Sequence, residues 1–441
     1  MRVLLVQTLS MEETSSERVY PIGIVCLAGR LTDRGHTVSL LDMNMAGDPF
    51  GSLKERLLDF QPELVGLSLR NIDPLGNRTS SLIPPFVVTV RMVAALAAQA
   101  WIVVGGTGFS LFPERVMQEL PEIDYGVAGE AESSFPALVS SLANQPCGKG
   151  SPPPGGPGSR LILPSIELDF SRYTPPARQL LDPAPYLGIN SYVAPIGIET
   201  KRGCPYRCAY CVYPGLQGSG LRCRPPVSVV DEMEALSKQY SVAGFHFTDP
   251  VLNIPHGHLE EICREILRRK LRVRWSGFMR EDHLDEKNIV LFEKAGCECF
   301  FFSADGLCQE SLDVLNKGLS EADVLRAARI SAASDVISVY HFMVNVPGET
   351  QTTVAKGMKL LDRIYDLHSR KKNLGTVVLN NIRILPGTII EKIAREEGVI
   401  GPDTDLLYPV YYNPKPFDTL RYRMQTLHLQ QNVFMWHEVK K

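Results

Sequence analysis

Long apolar runs are missing from this 441-residue chain. No stretch approaches the roughly 20 apolar residues of a membrane span, and the opening M-R-V-L-L-V-Q-T is too short for a secretory signal and has no cleavage pattern. An excess of charge of either sign is missing too. The formal net charge is −3 and the pI is near 6.3, so there is no electrostatic footprint for nucleic acid or an anionic membrane surface. These absences point to a cytoplasmic enzyme without a membrane span or a nucleic-acid partner, and a monomer is expected. What is present is globular: 44% of residues are apolar and 22% charged, and the length exceeds one ordinary core, so two or three domains are expected.

Ten cysteines are present, and seven of them (Cys26, Cys147, Cys223, Cys263, Cys297, Cys299 and Cys308) are scattered and read as free thiols in a reducing compartment. The other three crowd one loop. T-K-R-G-C-P-Y-R-C-A-Y-C-V-Y-P-G-L, from Thr200 to Leu216, holds Cys204, Cys208 and Cys211 at C-x3-C-x2-C spacing on a segment marked by Gly and Pro. Iron–sulfur clusters are normally held by four thiolates, so three close ligands leave one iron open to a further ligand. Zinc is a rival reading, but Cys223 offers a fourth thiol without the second Cys/His pair that zinc sites use. A redox C-x-x-C made of Cys208 and Cys211 would leave Cys204 unexplained.

Apolar runs alternate with amphipathic stretches before this loop. Strands are predicted at Val3–Val6, Thr37–Leu41, Leu64–Leu69, Ile102–Val104 and Tyr125–Val127, with helices at Ile22–Thr32, Leu53–Phe60 and Val87–Ala98 and another from Pro113. Such alternation predicts a doubly wound parallel sheet with ligand loops at the carboxyl ends of its strands. Three loops carry glycine and polar residues: G-L-S-L-R-N-I-D from Gly66, G-G-T-G-F-S from Gly105 and G-E-A-E from Gly129. Residues 145–160 are Pro- and Gly-rich and read as a flexible boundary, followed by an extended connector. After the cysteine loop, Ser228 is a candidate cap for a helix through Leu236. The βα rhythm then returns with G-F-H-F-T-D-P, V-R-W-S-G-F-M-R-E-D, C-F-F-F-S-A-D-G, V-Y-H-F-M-V-N-V-P-G-E-T and V-V-L-N-N-I-R-I-L-P-G-T. About six βα units follow, with functional residues at the strand ends. In the tail Leu420, Met424, Leu427 and Phe434 recur near helical spacing, and that helix is expected across the barrel mouth or against the first domain.

Together these segments resemble the cobalamin-binding radical S-adenosylmethionine (SAM) family, of its methyltransferase-like class. The resemblance implies an α/β chain: a Rossmann-like cobalamin-binding domain over residues 1–145, a linker and connector over 146–194, a partial (β/α)6 radical SAM barrel over 195–400, and a small, mainly helical extension over 401–441. It implies that Cys204, Cys208 and Cys211 hold a [4Fe-4S] cluster whose open iron chelates SAM. It further implies that Tyr210 lies near the adenine, with Thr248, Asp249 and Ser303 on the SAM amino group and ribose. Asn345 is either a SAM contact or a turn former, and Arg383 either meets a carboxylate or pairs within the sheet. Glu281 at the exit of the third barrel strand is a candidate proton acceptor or cluster ligand; its other reading is a solvated carboxylate in the run R-E-D-H. In the first domain the resemblance assigns Ser68, Leu69, Arg70, Asn71, Gly105, Gly106 and Thr107 to cobalamin, with Gly129 and Glu130 on the third loop. The D-x-H-x-x-G motif that ligates cobalt in one branch is absent. Cobalamin is therefore expected base-off with no protein His on the metal and the Arg70–Asn71 loop near its lower face, since a guanidinium has no lone pair to offer.

The implied activity is C-methylation of an unactivated carbon: one SAM methylates the cobalt, a second yields a 5′-deoxyadenosyl radical that abstracts hydrogen, and the carbon radical takes the methyl. A radical rearrangement or cyclisation is the alternative, as is methylation of an aromatic ring without a radical; a non-catalytic cofactor-sensing module is the reading from a different class. The implied partners are a small-molecule, lipid or peptide substrate and an electron donor such as flavodoxin or ferredoxin.

Overall fold

The structure is a computed structural model that describes residues 1–12, 15, 17–74, 76–144, 160–163, 169, 170, 173, 175–188, 190 and 193–431. The expected boundary at 145–160 lies outside the described residues except for Arg160, and Phe434 lies outside them too. The chain divides into two compact units, Met1–Pro185 with Leu407–Pro409, and Tyr186–Leu406 with Val410–Lys441.

In the first unit β1 (Arg2–Gln7), β2 (Thr37–Asp42), β3 (Leu64–Ser68), β4 (Trp101–Gly105), β5 (Tyr125–Val127) and β6 (Leu161–Ile162) form one parallel sheet in the order β2-β1-β3-β4-β5-β6. Helices α1 (Ile22–Thr32), α2 (Pro49–Phe60), α3 (Ile83–Leu96), α4 (Thr107–Leu111), α5 (Pro113–Glu119) and α6 (Ser134–Ala143) connect the strands. V-L-L-V in β1 and I-V-V in β4 are buried at every position, as strands covered on both faces require. Local signals set the helix ends. Asp48 accepts from the Gly51 N–H ahead of Pro49, and α2 stops at Gln61 in the left-handed region. The strand order reverses between β1 and β3, and that switch point is where open α/β sheets bind ligands.

In the second unit β7 (Gly197–Ile198) precedes the short antiparallel pair β8 (Lys201–Arg202) and β9 (Arg222–Cys223). Then come β10 (Gly244–Phe247), β11 (Arg274–Met279), β12 (Cys297–Asp305), β13 (Ile337–Met343) and β14 (Leu374–Asn380), with β15 (Ile382–Arg383) pairing β16 (Tyr411–Tyr412). The parallel sheet runs β7-β10-β11-β12-β13-β14, each strand beside its successor, and is therefore an open six-stranded βα arrangement. Its helices are α7 (Tyr213–Gln217), α8 (Pro226–Tyr240), α9 (His258–Arg268), α10 (Glu286–Lys294), α11 (Gln309–Val314), α12 (Glu321–Ala332), α13 (Gln351–Ser369), α14 (Ile389–Glu396) and α15 (Leu420–Leu429). Ser320 caps α12 and Thr350 caps α13. Ser228 does not cap α8: the helix begins at Pro226, and the Ser228 carbonyl and hydroxyl accept from Arg224 instead. The tail helix α15 packs against β14, where buried His428 meets Tyr365, Thr376 and the Val377 N–H.

Period-2 alternation divides this sheet into two faces. Phe247, Trp275, Phe302 and Tyr340 are fully buried against helices: Trp275 packs on Phe292 of α10, and the Tyr340 hydroxyl reaches Ser331 of α12 and His368 of α13. On the opposite, inward face His246, Phe278, Ser303, His341, Met343 and Val378 keep accessible surface.

Candidate active site

The cysteine loop leaves β8 and returns through β9. Gly203 (φ +88°) makes the exit turn, where a Cβ would lie 2.0 Å from the Gly220 carbonyl oxygen, so a side chain is excluded. The Cys204 N–H donates to Gly218 O, and the Cys211 N–H to Cys208 O, both at 3.1 Å. Ala209, midway, donates to Leu315 O at 2.9 Å and accepts from the Ile390 N–H at 3.0 Å. The loop is thus tied by its main chain to segments far away in sequence.

Asp249, just past β10, fastens the loop's base at Thr200 and Lys201. Its Oδ1 accepts from the N–H groups of Thr200 (2.8 Å) and Lys201 (3.2 Å), and its Oδ2 from the Thr200 hydroxyl and from Lys201 Nζ at 3.0 Å. Lys201 Nζ also donates to Leu252 O at 2.7 Å. Both side chains of this ion pair are fully buried. Four donors occupy the carboxylate, which is about its full acceptor capacity. Nothing in the sequence signalled Lys201, because K-R-G-C reads as a solvated basic run.

Cationic and aromatic groups surround the thiols. Cys204 is buried, Cys208 and Cys211 half-buried. As free thiols Cys204 and Cys211 are pushed up by burial, Cys211 to about 11; the Tyr206 and Tyr213 N–H groups and nearby Lys317 act in the opposite sense, as does Arg280 on Cys204. Arg280 stacks its guanidinium 3.8 Å from the centroid of the Tyr206 ring, and the Tyr206 hydroxyl meets His283 Nε2 at 2.9 Å. Tyr210 donates its hydroxyl proton to Asp305, which Lys317 pairs at 2.7 Å. Burial and the adjoining Asp305 raise the Tyr210 phenol well above its ordinary range. Burial works against the Lys317 charge, yet Asp305 and Cys208 hold its pKa above the usual value. Lys317 lies in the run L-N-K-G-L-S, Leu315 to Ser320, which gives no sign of its contact with Tyr210 across 107 residues.

Glu281 is fully buried, and neither carboxylate oxygen has a partner among the described residues. It is not the solvated carboxylate that R-E-D-H suggests. Burial pushes its pKa up to about 7, with Lys317 and Arg280 opposing and Asp305 reinforcing the shift. The remaining predicted positions are spread along the strand ends. Thr248 follows β10 with its N–H on Ile198 O at 2.9 Å, and Ser303 is half-buried beside the irregularity in β12. Asn345 (φ +56°) donates to Asn413 and Pro414, a turn-forming arrangement. Buried Arg383 donates to the carbonyls of Ile384, Leu406 and Val410.

In the first unit the loops after β3 and β4 interlock. The Leu69 N–H donates to Gly105 O, Gly108 N–H to Arg70 O and Phe109 N–H to Leu69 O. Gly106 (φ +102°) is required: a Cβ there would sit 2.6 Å from Leu69 O, and one on Gly108 3.0 Å from the same atom. Gly129 (φ +79°) donates to the Ser110 hydroxyl, Thr107 opens α4, and half-buried Glu130 follows. Arg70 is exposed, and the Asn71 amide donates to Ser10 O. At the β1/β3 switch point the Thr8 hydroxyl donates to Ser68 O at 2.8 Å, while the Ser68 hydroxyl meets Gln7. Thr8, Ser10 and Gly108 escaped the sequence reading; G-G-T-G flagged only its first glycines.

Two family matches account for these units: the B12 binding domain over residues 13–139 and the Radical SAM superfamily over residues 198–361. The chain thus joins a B12 binding domain to a Radical SAM domain, the domain pair of cobalamin-binding radical SAM enzymes, and it is an enzyme. It is similar to an uncharacterised methyltransferase of Pyrococcus horikoshii, 24% identical over 82% of this chain and 78% of that one. It is also similar to the anaerobic magnesium-protoporphyrin IX monomethyl ester cyclase of Rubrivivax gelatinosus, 28% identical over 77% of this chain but spanning only 61% of the cyclase. Among solved structures, the radical SAM methyltransferase TsrM of Kitasatospora setae, with cobalamin and a [4Fe-4S] cluster bound, matches with a TM-score of 0.72 at 24% identity, over 90% of this chain and 75% of that one. The fold is shared.

The residues present fit the cofactors of this family. Among the described residues no set of three or more His, Cys, Asp and Glu side chains converges on a single metal ion. That is compatible with a cluster, in which each thiolate binds a different iron. Main-chain N–H groups directed at sulfur and the neighbouring cations oppose the rise that burial gives the Cys204 and Cys211 thiols. The interlocked glycine loops at the β1/β3 switch point supply the strand-end surface a large planar cofactor needs.

Proposed function

We propose that the chain is a cobalamin-dependent radical SAM methyltransferase acting on carbon. The observation that carries this reading is the three-thiol loop, clamped at its base by the buried Asp249–Lys201 pair, in a chain that also carries a B12 binding domain. When bound, the [4Fe-4S] cluster supplies the electron that cleaves SAM to a 5′-deoxyadenosyl radical, and cobalamin carries the methyl group to the substrate carbon.

Cys204, Cys208 and Cys211 hold the cluster. Asp249 acts on the loop and not on SAM, because its acceptors are occupied. Lys317, Asp305 and Tyr210 form a buried charged floor beneath the thiols, leaving Thr248 and Ser303 as the polar groups for SAM at the strand ends. Glu281 holds a proton on its carboxyl oxygens below neutral pH and is free to accept one above it. The loops of Ser68–Asn71, Gly105–Thr107 and Gly129–Glu130 would hold cobalamin, and among their side chains the Arg70 guanidinium has no lone pair to offer a metal. A small-molecule substrate, a flavodoxin- or ferredoxin-type reductant, a monomeric state and a cytoplasmic location belong to this reading. No described helix is long and apolar enough to cross a membrane.

Anaerobic reconstitution with iron, sulfide and hydroxocobalamin, followed by metal analysis, tests it. Cobalt beside a four-iron cluster, with iron lost in the Cys204/Cys208/Cys211 triple Ala variant, supports the reading. Iron without cobalt overturns methyl transfer. Similarity to a cyclase favours a second reading, ring formation or rearrangement; 5′-deoxyadenosine without transfer of label from methyl-deuterated SAM would select it.

A further inference from the structure

Reductive cleavage of SAM takes in one electron each time, and no amino-acid side chain supplies one at the potential required, so it must enter through the protein surface from a separate carrier. The cysteine loop reaches that surface. Cys204 is buried, but Pro205 and Arg207 after it are exposed, and Cys208, directly following Arg207, is half-buried. Two distant segments are fastened alongside. Asn316, in the turn between α11 and α12, is exposed and donates its amide to Arg207 O at 2.7 Å, next to the Leu315 carbonyl that accepts from Ala209. The Ala209 carbonyl takes the Ile390 N–H, which holds Ile389, the first residue of α14, beside the loop.

Two residues of this patch lack the partners their chemistry wants. Ile389 is 50% exposed, whereas Ile390 beside it is fully buried. The Arg207 side chain has no ion pair or hydrogen bond among the described residues. The carboxylates of the flanking helices are engaged elsewhere: Asp313 by the Gln309 amide, Glu391 by Arg395, and Glu396 by Lys392 at 3.8 Å. One residue from a cluster thiol, the surface therefore offers an unmatched positive charge with an exposed isoleucine nearby.

We propose that Pro205, Arg207, Asn316 and Ile389 form the docking patch for the electron donor, a small acidic carrier protein of the flavodoxin type. Arg207 meets a carboxylate of the carrier, and Ile389 packs at the apolar part of the contact. The reduced flavin passes one electron to the cluster held by Cys204, Cys208 and Cys211 and becomes its semiquinone; no bond forms or breaks and no proton moves. Redox contacts are small and short-lived, and charge acts in them chiefly by steering the encounter. An apolar residue within a polar, charged rim has that anatomy. This inference rests on the reading of the chain as a radical SAM enzyme, and it supplies that reading with a redox partner and a place for it.

Surface plasmon resonance of the reconstituted chain with an acidic flavodoxin tests it. Arg207→Glu is expected to weaken binding about tenfold, mainly through slower association, and to flatten the loss of affinity that the parent shows as salt is raised. Ile389→Ser should weaken binding about fivefold and leave the salt dependence as it was. Both positions are exposed, so the variants should load iron and cobalt like the parent. Stopped-flow bleaching of the cluster absorbance by reduced flavodoxin gives a second readout: the variants should be slower at limiting carrier and equal to the parent at saturating carrier. Parent-like affinity in either variant overturns the proposal, as does a slower reduction that persists at saturating carrier. A parent that loads iron and cobalt yet does not bind the flavodoxin sinks this inference alone, because metal loading judges the methyltransferase reading separately.

Discussion

Asp249→Asn is expected to destabilise the second unit by about 3–5 kcal/mol, the range for stranding one member of a buried ion pair. The cause is geometric. Oδ1 takes two main-chain N–H groups, and Oδ2 takes the Thr200 hydroxyl and Lys201 Nζ. Asn keeps the first set and turns an amide N–H2 toward a fully buried ammonium. Lys201→Met removes that ammonium, and in the double variant the amide donates to the Thr200 hydroxyl without repulsion. The two losses should therefore fail to add by about 2–3 kcal/mol, at the upper end of couplings between contacting residues. Thermal unfolding of the second unit reads this as a melting point roughly 6–20 °C lower for Asp249→Asn, at ~2–4 °C per kcal/mol. Iron loading should fall with it and recover in the double variant, because Thr200 and Lys201 lead directly into Cys204. A loss below about 1 kcal/mol, closer to a surface pair, or strict additivity of the two substitutions would refute the clamp.

Other outcomes follow from the same geometry. Gly106→Ala drives a Cβ to 2.6 Å from Leu69 O at a φ of +102° and should destabilise the first unit by about 2–3 kcal/mol, a strained-backbone effect; cobalt uptake should fall while iron uptake is kept. Glu281→Gln tests a pH dependence. A carboxyl whose folded pKa of about 7 exceeds its unfolded value makes the fold less stable as pH rises between the two values and leaves it so above them. The Gln variant should therefore gain stability over the parent as pH rises from 4.5 to 8, by up to about 3 kcal/mol at 1.36 kcal/mol per pH unit. Urea unfolding of the metal-free proteins at both pH values measures it, and a gain independent of pH would contradict the buried charge. Lys317→Met leaves Asp305 with Tyr210 alone and should cost about 3–5 kcal/mol, whereas Tyr210→Phe, which keeps the ion pair, should cost about 1 kcal/mol; comparable losses would remove Lys317 from the centre of this network.

Strand and helix positions were largely legible because burial on both faces writes continuous apolar runs such as V-L-L-V and I-V-V, and amphipathic helices separate them. The helix over Ile22–Thr32 and the strand over Tyr125–Val127 agree residue for residue. The Ser228 cap failed because Pro225 and Pro226 start α8 earlier, leaving Ser228 in its first turn. In the site, the three cysteines were legible because ligand spacing on one loop is local information.

By itself the sequence determined the order of strands and helices, the three-thiol loop and the glycines that must turn it, since each of these is set by neighbours a few residues apart. Only the tertiary structure decided which charges face one another. Asp249 and Lys201 stand 48 residues apart, and Tyr210 and Asp305 stand 95 apart. Likewise Glu281 reads as one charge in a polar run until the fold buries it, with neither oxygen partnered among the described residues. Parallel sheets bring strand ends together from distant points in the chain, so the partners of a buried charge are set by register and by which face a side chain takes, and neither is written within any one segment.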